Sequence, residues 1–207
     1  MKPITCYLDV ISPFAWLAFE QLPQALQGCS YAVDYRPVLL AGMLQHWGNK
    51  GPAEIEPKRA WTFRHVAWWA QQHGIALQAP AVHPFNPLAL LRLAQACGPN
   101  RRVMEVVLRH VWIGGHDAND ADRLAQLKAE LAPTRDPDSA EVKQELRDNT
   151  QQAIAAGVFG VPSFVLDDRV FWGLDALPML RDALQGSAWF DGPAWDAAGI
   201  KPPGVVR

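Results

Sequence analysis

Ser12 and Pro13 follow the apolar run of residues 4–11 and are the first residues whose types and order point to chemistry. Ser is a favoured helix cap and Pro a favoured first helical residue, so the pair predicts that a helix begins here. Free backbone N–H groups at a helix start stabilise an anion. We therefore expect a row of such groups around the Ser12 hydroxyl. A cap with no further role is the alternative, and the local sequence alone favours it.

A second segment that could belong to an active site lies far along the chain, where Val161-Pro162 precedes a short β-branched and aromatic run at residues 163–166. Together with Ser12 it predicts a thioredoxin-like active site that carries Ser where a redox protein carries Cys. Pro162 is expected to be cis in such a sheet. An ordinary strand entry is the alternative, because only about 5–6% of X–Pro bonds in folded proteins are cis.

The elements that must position these residues form two groups at the ends of the chain. Near the N-terminus, residues 4–11, 13–26 and 31–39 predict a strand, a helix and a strand, the order of a right-handed βαβ unit. Towards the C-terminus, residues 163–166 and 170–172 predict a hairpin joined by Asp167, Asp168 and Arg169, and residues 175–184 predict a helix.

Between these groups the apolar residues recur at helical spacing. The predicted helices are residues 57–73, 87–97, 101–113, 120–131 and 138–156, the last capped by Asp138 with Glu141. The fold class is therefore α/β, a thioredoxin-like fold with a large all-helical insertion. Residues 1–40 and 157–207 form the thioredoxin-like domain, residues 41–156 the inserted helical domain, and a ligand cleft lies between them. Residues 192–207 are expected to be a surface extension with little regular structure.

Composition and charge exclude several classes of protein. The 207 residues carry a net charge of −2, and no basic run is longer than that at Arg101-Arg102, which argues against a nucleic-acid partner. No apolar stretch is long enough to span a membrane and no secretory signal is visible, so a cytoplasmic protein is expected. Cys6, Cys29 and Cys97 form no CxxC pair and are interpreted as reduced and structural. The histidines show no metal-site spacing, so no metal is expected.

Residues 7–15, which read Tyr-Leu-Asp-Val-Ile-Ser-Pro-Phe-Ala, resemble the F-D-x-x-S-P-Y opening of the 2-hydroxychromene-2-carboxylate isomerases and kappa-class glutathione transferases. These families belong to the DsbA-like branch of the thioredoxin fold. The similarity continues through Arg36-Pro37-Val38-Leu39-Leu40, Gly48-Asn49, His83-Pro84-Phe85-Asn86-Pro87, Val111-Trp112, residues 157–164 and Phe171-Trp172-Gly173-Leu174-Asp175. The resemblance implies a glutathione-dependent enzyme, usually a homodimer, with the thiol of glutathione beside the serine.

The resemblance also implies roles for residues around glutathione. The Ser12 hydroxyl donates to the thiolate, which then ionises more readily than a free thiol with a pKa near ~8.5. Val161, before cis Pro162, pairs with the cysteine of glutathione through its backbone, like an added strand. Asp175 lies near the γ-glutamyl ammonium group or caps the last helix, and the two roles are compatible. Leu174 contributes only its backbone.

Two adjacent loop residues, Asn49 and Lys50, are candidates to bind glutathione or the substrate. Asn49 binds glutathione or serves only as a turn residue in Gly48-Asn49-Lys50-Gly51. Lys50 binds a carboxylate of the substrate or of glutathione. Asn86 either contacts the substrate or caps the following helix, and the cap is the favoured interpretation.

Departures from the family pattern fall on two segments. Leu174 and Ala176 replace the polar residue and the arginine of a family G-N-D-R-L motif. Trp61 and Trp68 stand where the family has Tyr and Arg, and His65 stands in place of an Asp. Trp61 is a candidate to contact a flat aromatic substrate, and His65 is a candidate to contact the substrate as an acid or base. A core or subunit-interface role is the alternative for the tryptophans, and a structural role for His65.

The resulting hypothesis is a glutathione-dependent isomerase that interconverts a chromene carboxylate and a trans-o-hydroxybenzylidenepyruvate-type substrate. A thiolate adds to the conjugated double bond, rotation follows, and elimination returns the thiol. The alternative is a kappa-class-like glutathione transferase or peroxidase acting on a small electrophilic substrate. A DsbA-like oxidoreductase is disfavoured because Ser12 and Ala15 occupy the positions of a CxxC pair. A ligand-binding module without catalysis is a further alternative.

Overall fold

A four-stranded mixed sheet forms the centre of the computed structural model, which describes residues 1–200. Its strands are β1 (Lys2–Leu8), β2 (Tyr31–Pro37), β3 (Ser163–Leu166) and β4 (Arg169–Trp172). The spatial order is β2-β1-β3-β4, with β1 parallel to β2 and antiparallel to β3, and β3 antiparallel to β4. The two ends of the chain therefore meet in one sheet, as the thioredoxin-like prediction requires.

Helix α1 (Pro13–Ala25) connects the two parallel strands and buries an apolar face that includes Trp16, Leu17 and Leu22. Strand β1 is shorter than predicted and ends at Leu8 rather than residue 11. The chain turns there because the Asp9 carboxylate accepts a hydrogen bond from the Ile11 N–H at 3.1 Å. The turn places Ser12 at the start of α1.

The chain between β2 and β3 is helical, as predicted. The helices are α2 (Leu40–Trp47), α3 (Glu56–His73), α4 (Leu88–Ala96), α5 (Arg101–Trp112), α6 (Ala121–Leu131) and α7 (Ala140–Ala155), with a 3₁₀ turn at Pro52–Glu54. The prediction missed α2, which is only two turns long and begins after Leu39 without a side-chain cap. Its start is anchored instead by the Leu40 N–H, which donates to Asp9 at 2.8 Å.

Two predicted helix caps are wrong. Ser139 caps α7 by accepting from the Val142 N–H at 3.2 Å, whereas the Asp138 carboxylate pairs with the Arg92 and Lys143 side chains. Asp175 makes no capping bond, because it lies within a 3₁₀ turn, Leu174–Ala176, that precedes α8 (Leu177–Leu184). The single helix predicted for residues 175–184 is therefore split into a 3₁₀ turn and α8.

The prediction of little regular structure after residue 192 is wrong for residues 193–199. Two short helices follow α8, namely α9 (Ala188–Asp191) and α10 (Pro193–Gly199). Trp195 anchors α10, since its ring centroid lies 5.4 Å from that of Phe190 and 6.0 Å from that of Phe171. The rest of that prediction, residues 201–207, lies outside the described residues.

One main apolar core joins the sheet to the helices between β2 and β3. Ile4 from β1, Trp16 from α1, Leu91 from α4 and Trp112 from α5 are all fully buried in it. The division into a thioredoxin-like domain and an inserted domain therefore stays a prediction, since the two parts share this core. No helix within residues 1–200 combines the length and hydropathy needed to cross a membrane.

Candidate active site

Ser12 lies at the start of α1 and is 7% exposed. Its Oγ accepts a hydrogen bond from the Ala15 N–H at 3.3 Å, the contact of a helix cap. The same hydroxyl donates to the Val161 carbonyl oxygen at 3.4 Å, across 149 positions of the sequence. The capping role and the contact with the Val161-Pro162 segment therefore belong to one side chain.

The predicted row of free N–H groups around Ser12 is wrong. Pro13 has no N–H, and the N–H groups of Ala15 and Trp16 donate to the Ser12 carbonyl oxygen at 3.1 and 3.3 Å. The Phe14 N–H has no acceptor within residues 1–200. The donors for an anion at this helix start are therefore the Ser12 hydroxyl and the Phe14 N–H.

The Val161-Pro162 peptide bond is cis, as expected. The Val161 carbonyl accepts from Ser12, whereas the Val161 N–H finds no acceptor in the described part of the chain. Of the two Val161 backbone groups that were expected to be exposed, the N–H is therefore free and the C=O already accepts a hydrogen bond. A backbone donor without a partner beside a helix start is a ready contact for an extended peptide.

The segment around Gly173 is hydrogen-bonded to the Val161-Pro162 loop, since the Gly173 N–H donates to the Pro162 carbonyl at 2.9 Å. Gly173 has φ +98°, and a Cβ there would lie 2.5 Å from Asp175 Oδ1, so glycine is required. The Leu174 side chain is buried, which leaves only its backbone available, and Asp175 is exposed. The structure thus brings Leu174 and Asp175 next to Pro162.

Asn49 and Lys50 are exposed just beyond α2, after Gly48 ends that helix in the left-handed conformation. The Trp47 Nε1–H donates to the Val158 carbonyl at 3.0 Å. This bond ties the end of α2 to the chain three residues before Val161. Asn49 and Lys50 therefore lie at the same end of the fold as the Val161-Pro162 loop.

Helix α3 presents an aromatic row to the start of α1. The His65 ring centroid is 5.8 Å from that of Phe14, and the Trp61 and Trp68 rings stack on the two sides of His65 at 6.1 and 6.4 Å. Trp61 is 64% exposed and Trp68 54% exposed. Phe14 is two residues from Ser12, so these ring contacts bring Trp61 and His65 next to the start of α1.

Asn86 makes the capping contact that the sequence favours, since its Oδ1 accepts from the Leu88 N–H at the start of α4, at 3.1 Å. No hydrogen bond connects Asn86 to Ser12 or to the Val161-Pro162 loop within residues 1–200. The structure therefore offers no contact that draws Asn86 into the candidate site.

Three side chains that were not predicted as site residues hold the turn before Ser12, of which Asp9 and Trp112 are fully buried and His83 is partly buried. Asp9 accepts from the Ile11 and Leu40 N–H groups, His83 Nε2 lies 2.9 Å from the Ile11 carbonyl, and Trp112 Nε1–H donates to the Val10 carbonyl at 3.0 Å. All three belong to segments on which the family resemblance rests. The residue types alone gave no signal, because each partner is a backbone group in the Asp9–Ser12 turn or next to it.

Burial shifts the pKa values of two of these groups. Burial raises the pKa of Asp9 to about 7, against the opposing effect of two backbone hydrogen bonds. Burial also lowers the pKa of His83 below its ordinary value. Because a carbonyl oxygen only accepts, His83 carries its proton on Nε2, and its buried Nδ1 has no partner within the described residues.

Asp9→Asn is expected to destabilise the protein in a pH-dependent way. The amide of Asn cannot accept both backbone N–H groups, which costs about 1–3 kcal/mol at pH 5. The raised pKa means that the wild type loses stability as the pH rises from about 4 through 7, whereas Asn does not titrate. The stability advantage of the wild type over Asp9→Asn should therefore be roughly 2 kcal/mol smaller at pH 8 than at pH 5.

Urea unfolding of both proteins at pH 5 and pH 8 checks this prediction. His83 titrates in both proteins, so its contribution to the difference cancels. A free-energy difference between wild type and Asp9→Asn that stays constant across this range would show that Asp9 is already ionised at pH 5.

Comparisons with known proteins match most of the length of the chain. Residues 3–185 match the DSBA-like thioredoxin domain. The chain is 30% identical over 187 residues to 2-hydroxychromene-2-carboxylate isomerase from Pseudomonas putida, spanning 86% of this chain and 92% of that protein. It is 28% identical over 209 residues to glutathione S-transferase kappa 2 from Caenorhabditis elegans, spanning 88% and 92%. A solved selenomethionine 2-hydroxychromene-2-carboxylate isomerase matches 96% of this chain and 100% of its own, with a TM-score of 0.79 at 25% identity.

Proposed function

We propose that this chain, which belongs to the DsbA-like thioredoxin family and within it to the group of 2-hydroxychromene-2-carboxylate isomerases and kappa-class glutathione transferases, is a glutathione-dependent isomerase. Its substrates would be a chromene carboxylate and the corresponding trans-o-hydroxybenzylidenepyruvate. The observation that carries the proposal is the contact between the Ser12 hydroxyl and the Val161 carbonyl, which joins a helix start to a backbone segment with an unused N–H.

The residues present fit glutathione. The Val161 N–H needs an acceptor, and a peptide carbonyl of the tripeptide supplies one. Asp175 is exposed beside Pro162 and suits an ammonium group, while Lys50 is exposed at the end of α2 and suits a carboxylate. Asn49 and the Leu174 backbone complete the set of proposed contacts.

The Ser12 hydroxyl is free to change partner. Its bond to the Val161 carbonyl is long at 3.4 Å, beyond the usual range for an O–H donor, and therefore weak. Rotation of the hydroxyl towards a bound anion would release that carbonyl to accept from the ligand's own N–H. Binding would thus replace one weak internal bond with two bonds to the ligand.

When bound, glutathione supplies the nucleophilic sulfur for reversible addition to a conjugated double bond, which lets that bond rotate. The role of this chain is to keep the sulfur ionised. The Ser12 hydroxyl and the Phe14 N–H donate to an anion, and the positive end of the α1 dipole favours negative charge at the same place. Burial of Ser12 strengthens these interactions because little water competes.

Recognition of the substrate falls to the aromatic row on α3. The exposed face of Trp61 and the ring of His65 suit stacking with a flat aromatic ring, as does Phe14 beside them. A substrate carboxylate would pair with Lys50 if glutathione leaves that side chain free. These contacts make a chromene carboxylate a better fit than an aliphatic electrophile.

A kappa-class-like glutathione transferase is the second candidate, supported by 28% identity to the Caenorhabditis elegans kappa protein over nearly the full length of both chains. A dithiol oxidoreductase is disfavoured, because Ser12 and Ala15 stand where a CxxC pair would be needed. Burial raises the pKa of Cys6, which keeps that thiol protonated and unreactive.

Turnover of a chromene carboxylate, measured with and without glutathione beside a generic electrophile, tests the proposal. The expected result is isomerisation that requires glutathione, with slow conjugation of the electrophile. Fast conjugation without isomerisation would favour the transferase. Isomerisation that proceeds equally well without glutathione would overturn the proposal.

A homodimer and a cytoplasmic location, both expected from the sequence, remain part of this proposal. The large exposed side chains Trp68, Phe159 and Trp172 are available for a subunit contact. Sedimentation of the pure protein measures the oligomeric state directly.

A further inference from the structure

A cavity of about 510 Å³ lies between α2, α4 and α7, and its lining includes neither Ser12 nor any of the residues proposed to hold glutathione. Its volume falls within the range of small-molecule sites, about 300–1,000 Å³. Leu88, Leu146 and Ile154 supply apolar surface, and one face of α7 forms a continuous wall. The cavity is therefore large enough for a ligand of its own.

Gly42 forms part of the wall of this cavity. It lies inside α2, where glycine costs about 0.5–1 kcal/mol relative to alanine. Its φ is not positive, and a Cβ there would meet Thr150 Cγ2 at an ordinary 3.6 Å, so neither the backbone nor a close neighbour requires glycine. Because an added Cβ would already contact Thr150, only a side chain larger than that of alanine would take up volume in the cavity.

The rim of the cavity carries an excess of positive charge. Arg92 and Lys143 share one carboxylate, that of Asp138, at 3.5 and 3.7 Å, and Asp138 is mostly exposed. Arg147 donates to the neutral amide oxygen of Gln144 at 2.6 Å. Arg92 Nε is buried and has no acceptor within residues 1–200, so a donor beside the cavity is unused.

We propose that this cavity binds a small amphipathic monocarboxylate with an apolar body of about ten carbons, the size class that such a volume accommodates. The carboxylate would pair with Arg92, Lys143 and Arg147, and the body would cover Leu146 and Ile154. Charge and apolar surface are both needed, because exposed ion pairs alone contribute little to affinity. This site is separate from the proposed glutathione site and does not depend on it.

Calorimetric titration with 2-naphthoate and its neutral counterpart 2-naphthylmethanol tests the proposal. The wild type should bind one naphthoate, and the alcohol should bind at least about 10-fold more weakly, about 1.4 kcal/mol, because it lacks the charge. Gly42→Leu should weaken naphthoate binding by about 10-fold or more by filling the cavity, whereas Gly42→Ala should change it by less than about 3-fold. Glutathione affinity should stay unchanged in both variants.

Arg147→Gln tests the charge without altering the packing of α2, and it keeps the proposal falsifiable if Gly42→Leu does not fold. We expect Arg147→Gln to lower the affinity for naphthoate about 10-fold. Arg102→Gln is the control, because Arg102 is exposed on α5 outside the cavity, and it should leave the affinity unchanged. Naphthoate binding that survives both Gly42→Leu and Arg147→Gln would place the ligand elsewhere, and absence of binding at millimolar concentration would exclude the site.

Discussion

Ser12→Ala is expected to lower glutathione-dependent turnover by about 100-fold or more, the usual effect of removing one donor to a developing negative charge. The Ser12 hydroxyl is a side-chain donor at the start of α1, and only the Phe14 N–H remains as a free donor there when the hydroxyl is lost. The remaining dipole of α1 cannot compensate, because a helix terminus alone contributes about 0.3–1 kcal/mol. Steady-state kinetics at saturating glutathione measures the effect on kcat.

Ser139→Ala is the matched control for this experiment. Ser139 caps α7 through the same contact, with its Oγ accepting from the Val142 N–H at 3.2 Å. Each variant should lose about 1 kcal/mol of stability as its cap is removed, but only Ser12→Ala should lose turnover. Equal kcat values for Ser12→Ala and the wild type would reduce Ser12 to a structural cap.

Trp112→Phe is expected to destabilise the protein by about 2–4 kcal/mol and to raise the KM for glutathione. Trp112 is fully buried, and its Nε1–H donates to the Val10 carbonyl at 3.0 Å, two residues before Ser12. Phe leaves that carbonyl without its donor and a void beside it, and both effects are costly in a core. Chemical denaturation and glutathione kinetics on the same preparation measure the two effects.

Trp16→Phe separates loss of stability from displacement of the turn. Trp16 is also fully buried and its Nε1–H also donates to a backbone carbonyl, that of Ala76 at 2.9 Å, which lies outside the turn. We expect a similar loss of stability but a glutathione KM close to that of the wild type. A KM that rises equally in both variants would mean that the Trp112 contact has no specific role in placing Ser12.

The parts of the fold that were predictable are those set by neighbours in sequence. Ser12-Pro13 marked the start of α1 correctly, and the hairpin turn was found at Asp167 and Asp168, which both adopt positive φ. Helix α2 was not predictable, because its start depends on the Asp9 carboxylate 31 positions earlier. The cap of α7 was misplaced by one residue, since Asp138 and Ser139 are both good caps and Asp138 is held instead by Arg92 and Lys143.

The candidate site was also predictable only in part. Residue types and order pointed to Ser12 and to Val161-Pro162, and the structure joins the two segments through the bond from Ser12 to Val161. The number of free N–H groups was overestimated, because the cap geometry directs the Ala15 and Trp16 donors to Ser12 itself. That geometry follows from backbone angles that residue types do not specify.

Titration of the thiol of bound glutathione, followed by the ultraviolet absorption of the thiolate, tests the central claim most directly. We predict that the thiol bound to the wild-type protein ionises well below the pH of a free thiol, whose pKa is about 8.5, and that Ser12→Ala returns it most of the way to that value. An unshifted titration in the wild type, or the same shift with and without the Ser12 hydroxyl, would contradict the account.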